Sequence, residues 1–166
     1  MKLLIPSLFL AAAVLASAAL DSAPAHAWSD ADGCSSRPGP RQQLPVVPIT
    51  GTGKSVYMKT PNAEQRYVRD ETMTLLMNVS LLTKKDVIVT SGYRSCAYTR
   101  NKLRGRNRSQ HTQATAVDFT VAGYDSQGLF ALARRAGAKG VGVYCGNFSH
   151  LDTGPARSWN HCGGSK

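Results

Sequence analysis

The sequence predicts an α+β domain with a small, mainly antiparallel sheet flanked by helices. Two observations carry that expectation. Helical periods alternate with short β-branched runs in the order helix, strand, helix, strand, helix, strand, strand. The last two strands are separated by Gly146-Asn147, which reads as a tight hairpin. No internal repeat or low-complexity tract interrupts the order.

Residues 1–27 stand apart. Lys2, an apolar run over residues 3–20 and the small-x-small sequence Ala25-His26-Ala27 read as a secretory signal peptide, cleaved before Trp28. An uncleaved membrane anchor is the competing reading, but the run is only marginally long enough to span and Pro6 weakens it. Export to the periplasm or beyond is therefore expected, with no membrane-spanning segment after cleavage. Residues 28–61 follow as a Pro/Gly-rich arm with a first strand region, and residues 62–166 as the main domain with a short tail. The arm carries Pro38, Pro40, Pro45 and Pro48 and is expected to be irregular. Its Gly51-Thr52-Gly53-Lys54-Ser55 imitates half of a phosphate-binding loop, but Pro48 stands where the first glycine belongs and no strand precedes it. No nucleotide is expected.

Apolar residues at Tyr67, Val68, Leu75, Leu76, Val79 and Leu82 recur with a helical period, predicting a first helix over residues 62–84. Val87-Ile88-Val89 reads as a buried strand ending at Ser91-Gly92. Residues 95–103 suit a second helix, and residues 105–108 a basic turn. Residues 114–121 alternate as a half-buried strand does. Asp125 can cap a third helix over residues 126–136 that Gly137 stops. Residues 140–144 and 148–152 complete the sheet.

Lys and Arg number 20 against 10 Asp and Glu, a formal net charge of +10. Such a balance suits a polyanionic partner such as cell-wall polymer, nucleic acid or an acidic surface, and equally simple solubility. With only 7% aromatic residues, the stacking pattern of a single-strand nucleic-acid binder is lacking. Cys34, Cys96, Cys145 and Cys162 all follow the cleavage site, and an even count in an exported chain predicts two disulfides. Cys145 with Cys162 would tie the last strand region to the C-terminus, leaving Cys34 with Cys96. A cysteine zinc site competes poorly because no CxxC pair exists.

Chemistry concentrates in two segments. In Ser109-Gln110-His111 through Phe119, Ala114, Ala116 and Asp118 share one strand face, while Val117, Phe119 and Val121 share the opposite, core-facing one. In Phe148-Ser149-His150-Leu151-Asp152, His150 and Asp152 point the same way. Two histidines and a carboxylate can make a three-ligand site of the catalytic zinc type, or can be a loop histidine and solvent-facing charges.

Ser91-Gly92-Tyr93-Arg94-Ser95, Ser109-Gln110-His111 with Ala116-Val117-Asp118-Phe119, Gly140-Val141-Gly142-Val143-Tyr144, and His150-Leu151-Asp152-Thr153-Gly154 ending at Trp159 resemble the zinc D-Ala-D-Ala metallopeptidases. The likeness runs from about Asn62 to Trp159 and is greatest to the short exported murein endopeptidases of that superfamily, which also holds lysostaphin-type enzymes and the hedgehog fold. The resemblance implies that His111, Asp118 and His150 ligate Zn2+ and that Arg94 faces the substrate carbonyl; Ser109 and Gln110 are expected to bind substrate with Arg94 and to shape the turn presenting His111. It implies a peptidoglycan substrate; a monomer is expected, and the low aromatic content speaks against a nucleic-acid partner.

One position departs from the pattern. The dipeptidase and carboxypeptidase branches carry a glutamate base three residues before the last histidine, and here that residue is Asn147. Asp152 remains, as general base and acid or as a carboxylate orienting a ligand histidine. His161 is a further candidate, near the tail. The function expected is zinc-dependent cleavage of stem peptides or cross-links, by an endopeptidase or a carboxypeptidase-like enzyme. A non-catalytic wall-binding or partner-binding module, and a nuclease or antibacterial effector, are the alternatives.

Overall fold

The computed structural model describes residues 41–46, 55–59, 65–103 and 109–162. The expected signal peptide, most of the loop look-alike at residues 51–54, the turn at 105–108, and Cys34 with its expected bridge to Cys96 lie outside them. No helix among the described residues is long and apolar enough to cross a membrane.

The elements run β1 (Arg41–Gln43), β2 (Val56–Met58), β3 (Tyr67–Arg69), α1 (Asp70–Thr83), β4 (Val87–Ser91) and α2 (Cys96–Leu103). A single 3-10 turn (Gln110–Gln113) leads into β5 (Ala116–Val121), followed by α3 (Ser126–Arg135), β6 (Gly140–Val143), β7 (Ser149–Asp152) and β8 (Arg157–Asn160). The main sheet has the order β2-β4-β5-β7-β6-β8. Its inner pairings, β4 with β5, β5 with β7 and β7 with β6, are antiparallel, whereas β2 on β4 and β8 on β6 are parallel. The sheet is thus mixed, antiparallel within and parallel at both edges.

Helices α1 and α3 cover one face. Leu75, Leu76 and Val79 from α1 and Leu129, Leu132 and Ala133 from α3 pack on Val87, Val89, Val117, Phe119, Val121, Val141 and Leu151. A fully buried Val, Leu or Phe contributes about 1.5–3 kcal/mol, so this layer holds the strands that carry the site on their other face. Asp125 caps α3 by accepting from the Gly128 N–H, and Gly137, at φ +98°, leads the chain out.

Three expectations need correction. The first helix begins at Asp70, not in the low sixties, because Tyr67 and Val68 belong to β3, which pairs antiparallel with β1. Residues of one buried helix face and of a short strand leading into it share the same apolar spacing. The arm is not wholly irregular either: β1 comes from it and Leu44 enters the core, while β2 forms the strand of the region after it. The link between β6 and β7 is five residues, 144–148, rather than a two-residue turn. Tyr144 and Phe148 stack face to face at 5.0 Å across that loop, and Cys145 is disulfide-bonded to Cys162, Cα atoms 4.7 Å apart.

Candidate metal centre

Two cross-strand rows build the site. Ala116, Asp152, Gly140 and Arg157 stand in register across β5, β7, β6 and β8. One pleat along, Asp118, His150, Gly142 and Trp159 do the same. Their sequence neighbours Val117, Leu151 and Val141 face the helices, so alternation sends both rows to the opposite face. A side chain on Gly140 would meet the Asp152 carboxylate, and one on Gly142 the Trp159 indole. Glycine normally weakens a strand; two at period two mark the close approach of something large.

His111 arrives from the 3-10 turn. The Ser109 hydroxyl accepts from the His111 N–H at 3.3 Å, and Ala114, at φ +57°, ends the turn. Gln110 fixes the other side, its Oε1 accepting from the Thr115 hydroxyl at 2.7 Å. The turn is then tied to the segment after β4. His111 Nδ1 donates to the Gly92 carbonyl at 2.7 Å, while the His111 carbonyl accepts from the Arg94 N–H at 3.2 Å. A register shift between Val89 and Ser91 sets Ser91 opposite Asp118, re-aiming the strand end towards the site.

The three residues converge. His111 Nε2 lies 3.2 Å from His150 Nδ1 and 3.4 Å from Asp118 Oδ1, and His150 Nδ1 lies 3.1 Å from the same oxygen. All three are buried. The outer nitrogens fix the tautomers. His111 Nδ1 faces a carbonyl and His150 Nε2 faces Asp152 Oδ2 at 2.9 Å, partners that only accept, so both nitrogens carry hydrogen. Three lone pairs are left pointing at one another. They repel unless an extra proton or a cation sits between them.

Protonation follows the same contacts. Burial pushes His111 below its ordinary value, only partly opposed by Asp118. Burial would also lower His150, but hydrogen bonds to Asp118 and Asp152 outweigh it and raise its pKa. For Asp118 burial acts upward, yet His111 and His150 hold its carboxyl well below the usual carboxylate range. Asp152 is likewise depressed against burial, by His150, Arg157 and the Gly154 N–H.

Arg94 and Asp152 are already engaged. Arg94 Nη2 donates to Asp118 Oδ2 at 2.5 Å and Nε to the Ser91 hydroxyl at 3.0 Å, which leaves Asp118 Oδ1 as the inward oxygen; the Arg94 side chain is 21% exposed. The fully buried Asp152 accepts from Nη2 and Nη1 of Arg157, at 2.6 and 3.1 Å, and from the Gly154 N–H at 2.8 Å. His161 is exposed, its ring 5.3 Å from that of Tyr144. The face thus brings together Arg94, His111, Asp118, His150 and Asp152, with Ser109 and Gln110 behind the turn. Sequence reasoning missed Arg157, the Gly92 carbonyl and the packing of Trp159, whose ring lies 5.0 Å from that of His150. The alternation of Arg157 and Trp159, matched to Gly140 and Gly142, was the available signal.

The donor set fits zinc. With Zn–N and Zn–O bonds of about 2.0–2.1 Å, tetrahedral ligand atoms stand about 3.3 Å apart. The separations here are 3.1, 3.2 and 3.4 Å. Two imidazoles and one carboxylate oxygen are borderline ligands suited to zinc, and hard all-oxygen cations would find too few oxygens.

Comparison with known proteins agrees with this chemistry. The chain is 47% identical over 85 residues to the peptidoglycan L,D-endopeptidase MepK of Escherichia coli K12, a match covering 46% of this chain and 45% of that one. The same figures hold for MepK of Shigella flexneri. The probable peptidoglycan L,D-endopeptidase MepK of Haemophilus influenzae is 34% identical over 109 residues, 63% of this chain and 55% of that one. The chain thus matches about half the length of these relatives. The model of the family described as Peptidase M15 matches residues 51–152, more than half of the chain, a span holding Arg94, His111, Asp118, His150 and Asp152. The chain belongs to the peptidase M15 family.

Proposed function

We propose that this chain is an exported, zinc-dependent peptidase that hydrolyses peptide bonds in the stem peptides or cross-links of peptidoglycan, with a D-Ala-D-Ala peptidase or hedgehog type of fold. The observation that carries the proposal is the meeting of three buried lone pairs, from His111, Asp118 and His150, at 3.1–3.4 Å with both outer imidazole nitrogens committed elsewhere. The names of the MepK relatives supply the substrate class, and the formal charge of +10 suits a carboxylate-rich polymer.

In this reading His111 Nε2, Asp118 Oδ1 and His150 Nδ1 are the ligands. Zinc there supplies a Lewis acid that lowers the pKa of water from about 15.7 to about 7 and polarises a scissile amide. Arg94 holds Asp118 Oδ2 and keeps a permanent positive charge at the rim, where it can receive the carbonyl oxygen or a stem-peptide carboxylate. Ser109 and Gln110 hold the turn that presents His111. Asp152 acts as the orienting carboxylate, because both its oxygens are taken and its depressed pKa makes it a poor proton acceptor at neutral pH.

The commitment of Asp152 also favours a second reading, a wall-binding module that keeps the centre without turnover. Incubation of the protein with purified sacculi separates the two. Peptide release that a chelator stops and added zinc restores is expected of the peptidase; binding to sacculi without a cleaved product would identify the module. Full activity in chelator would sink the metal mechanism.

A further inference from the structure

The last strand is short, polar and at the sheet edge, and it begins past the end of the family match at residue 152. Three of its contacts are nonetheless directed at the metal centre. Arg157 grips both oxygens of Asp152, whose Oδ2 holds His150 Nε2. The Trp159 ring lies against the His150 ring, above the space left by Gly142, and its Nε1 donates to the Tyr144 hydroxyl at 3.2 Å. The Arg157 guanidinium in turn sits over the Trp159 ring, 5.1 Å from its centroid. Main-chain bonds from Arg157 to Lys139 and from His161 to Val143, with the Cys145–Cys162 disulfide just beyond, fix the strand at both ends.

We propose that β8 is a clamp for the metal centre and that Arg157 is a positioning residue, acting through Asp152 to keep His150 turned with Nδ1 towards His111 and Asp118. The need for it is electrostatic and geometric. A fully buried carboxylate stays ionised only when paired. The planar fork of arginine meets both oxygens in one plane, so it fixes the carboxylate's rotation as well as its charge. An ionised Asp152 in a single orientation keeps the hydrogen on His150 Nε2 and the lone pair on Nδ1. The inference rests on the zinc reading of the centre but not on its substrate.

The test uses the full chain, stripped of metal and titrated with Zn2+ against a chromophoric chelator, as wild type, Arg157→Lys and Arg157→Gln. Loss of an outer partner of a metal ligand costs about 10–100-fold in affinity, and a loss of that size is expected for Arg157→Gln. Arg157→Lys, which keeps the charge without the fork, falls between. Thermal unfolding of the metal-free proteins accompanies each titration. Variants that melt earlier yet bind zinc as tightly as wild type would show a merely structural strand and overturn the proposal, as would equal affinity and stability throughout. Wild-type protein that takes up no zinc overturns both centre and clamp. Failure of the peptidoglycan reading would leave the affinity order intact, since no substrate enters the assay.

Discussion

The two histidines of the centre are held in opposite ways. His111 lies on a 3-10 turn, offers Nε2 and is oriented by a backbone carbonyl. His150 lies in a strand, offers Nδ1 and is oriented by an ionised side chain that a second side chain holds. A carbonyl cannot be removed by substitution and carries no net charge, so burial prevails at His111 and lowers its pKa. At His150, hydrogen bonds to Asp118 and Asp152 together outweigh similar burial and raise its basicity. One half of the centre is therefore set by main-chain path, and the other by a chain of side chains that single substitutions can break.

Removal of either histidine should have the largest effect. His111→Ala and His150→Ala should each abolish zinc retention in metal analysis and reduce sacculus cleavage by more than the roughly 100-fold upper range for outer partners. Next comes the asymmetry itself. Asp152→Ala should weaken zinc binding by about 10–100-fold with residual turnover at saturating zinc; intact affinity with no hydrolysis would instead make Asp152 the base.

No such substitution exists for His111, but Gly92 gives access to its carbonyl. A side chain there would run into the Gln65 carbonyl, so Gly92→Ala must move the main chain. A cost of about 1–3 kcal/mol in unfolding free energy is expected, with a smaller fall in zinc affinity than Asp152→Ala produces. An unchanged denaturation midpoint would contradict it.

The smallest effect concerns pH. In the metal-free protein the raised pKa of His150 adds stability that is present below the ordinary histidine value near 6.5 and is lost as pH rises through the folded value. The lowered pKa of His111 acts in the opposite sense, destabilising the fold as pH falls below about 6.5. Zinc must displace the proton that His150 gains, so its affinity should climb as pH rises through the raised His150 value. Calorimetric titration at several pH values should show that proton release, and an affinity independent of pH would contradict it.

The shared face of Asp118, His150 and Asp152 was legible in the sequence because strand alternation is local: Asp118 opposite Val117 and Phe119, and His150 with Asp152, need no knowledge of the fold, whereas only the family resemblance joined His111 to them. The outer half of the centre was not. The role of Arg157 depends on β8 lying parallel to β6, and β8 is short and mostly polar and exposed, so only the match of Arg157 and Trp159 to Gly140 and Gly142 marks the pairing. β1 and β3 escaped for a related reason, since three-residue strands carry too little pattern and Val68 falls into the helical period of α1. Gly92 read as the end of a strand, and its carbonyl carries no sequence signal at all.

A crystal structure of the zinc-loaded protein tests the central claim most directly. It should show one zinc bonded to His111 Nε2, His150 Nδ1 and a single oxygen of Asp118, with Asp152 still between His150 and Arg157. Zinc bound through Nε2 of both histidines, or bound away from this cluster, would contradict it.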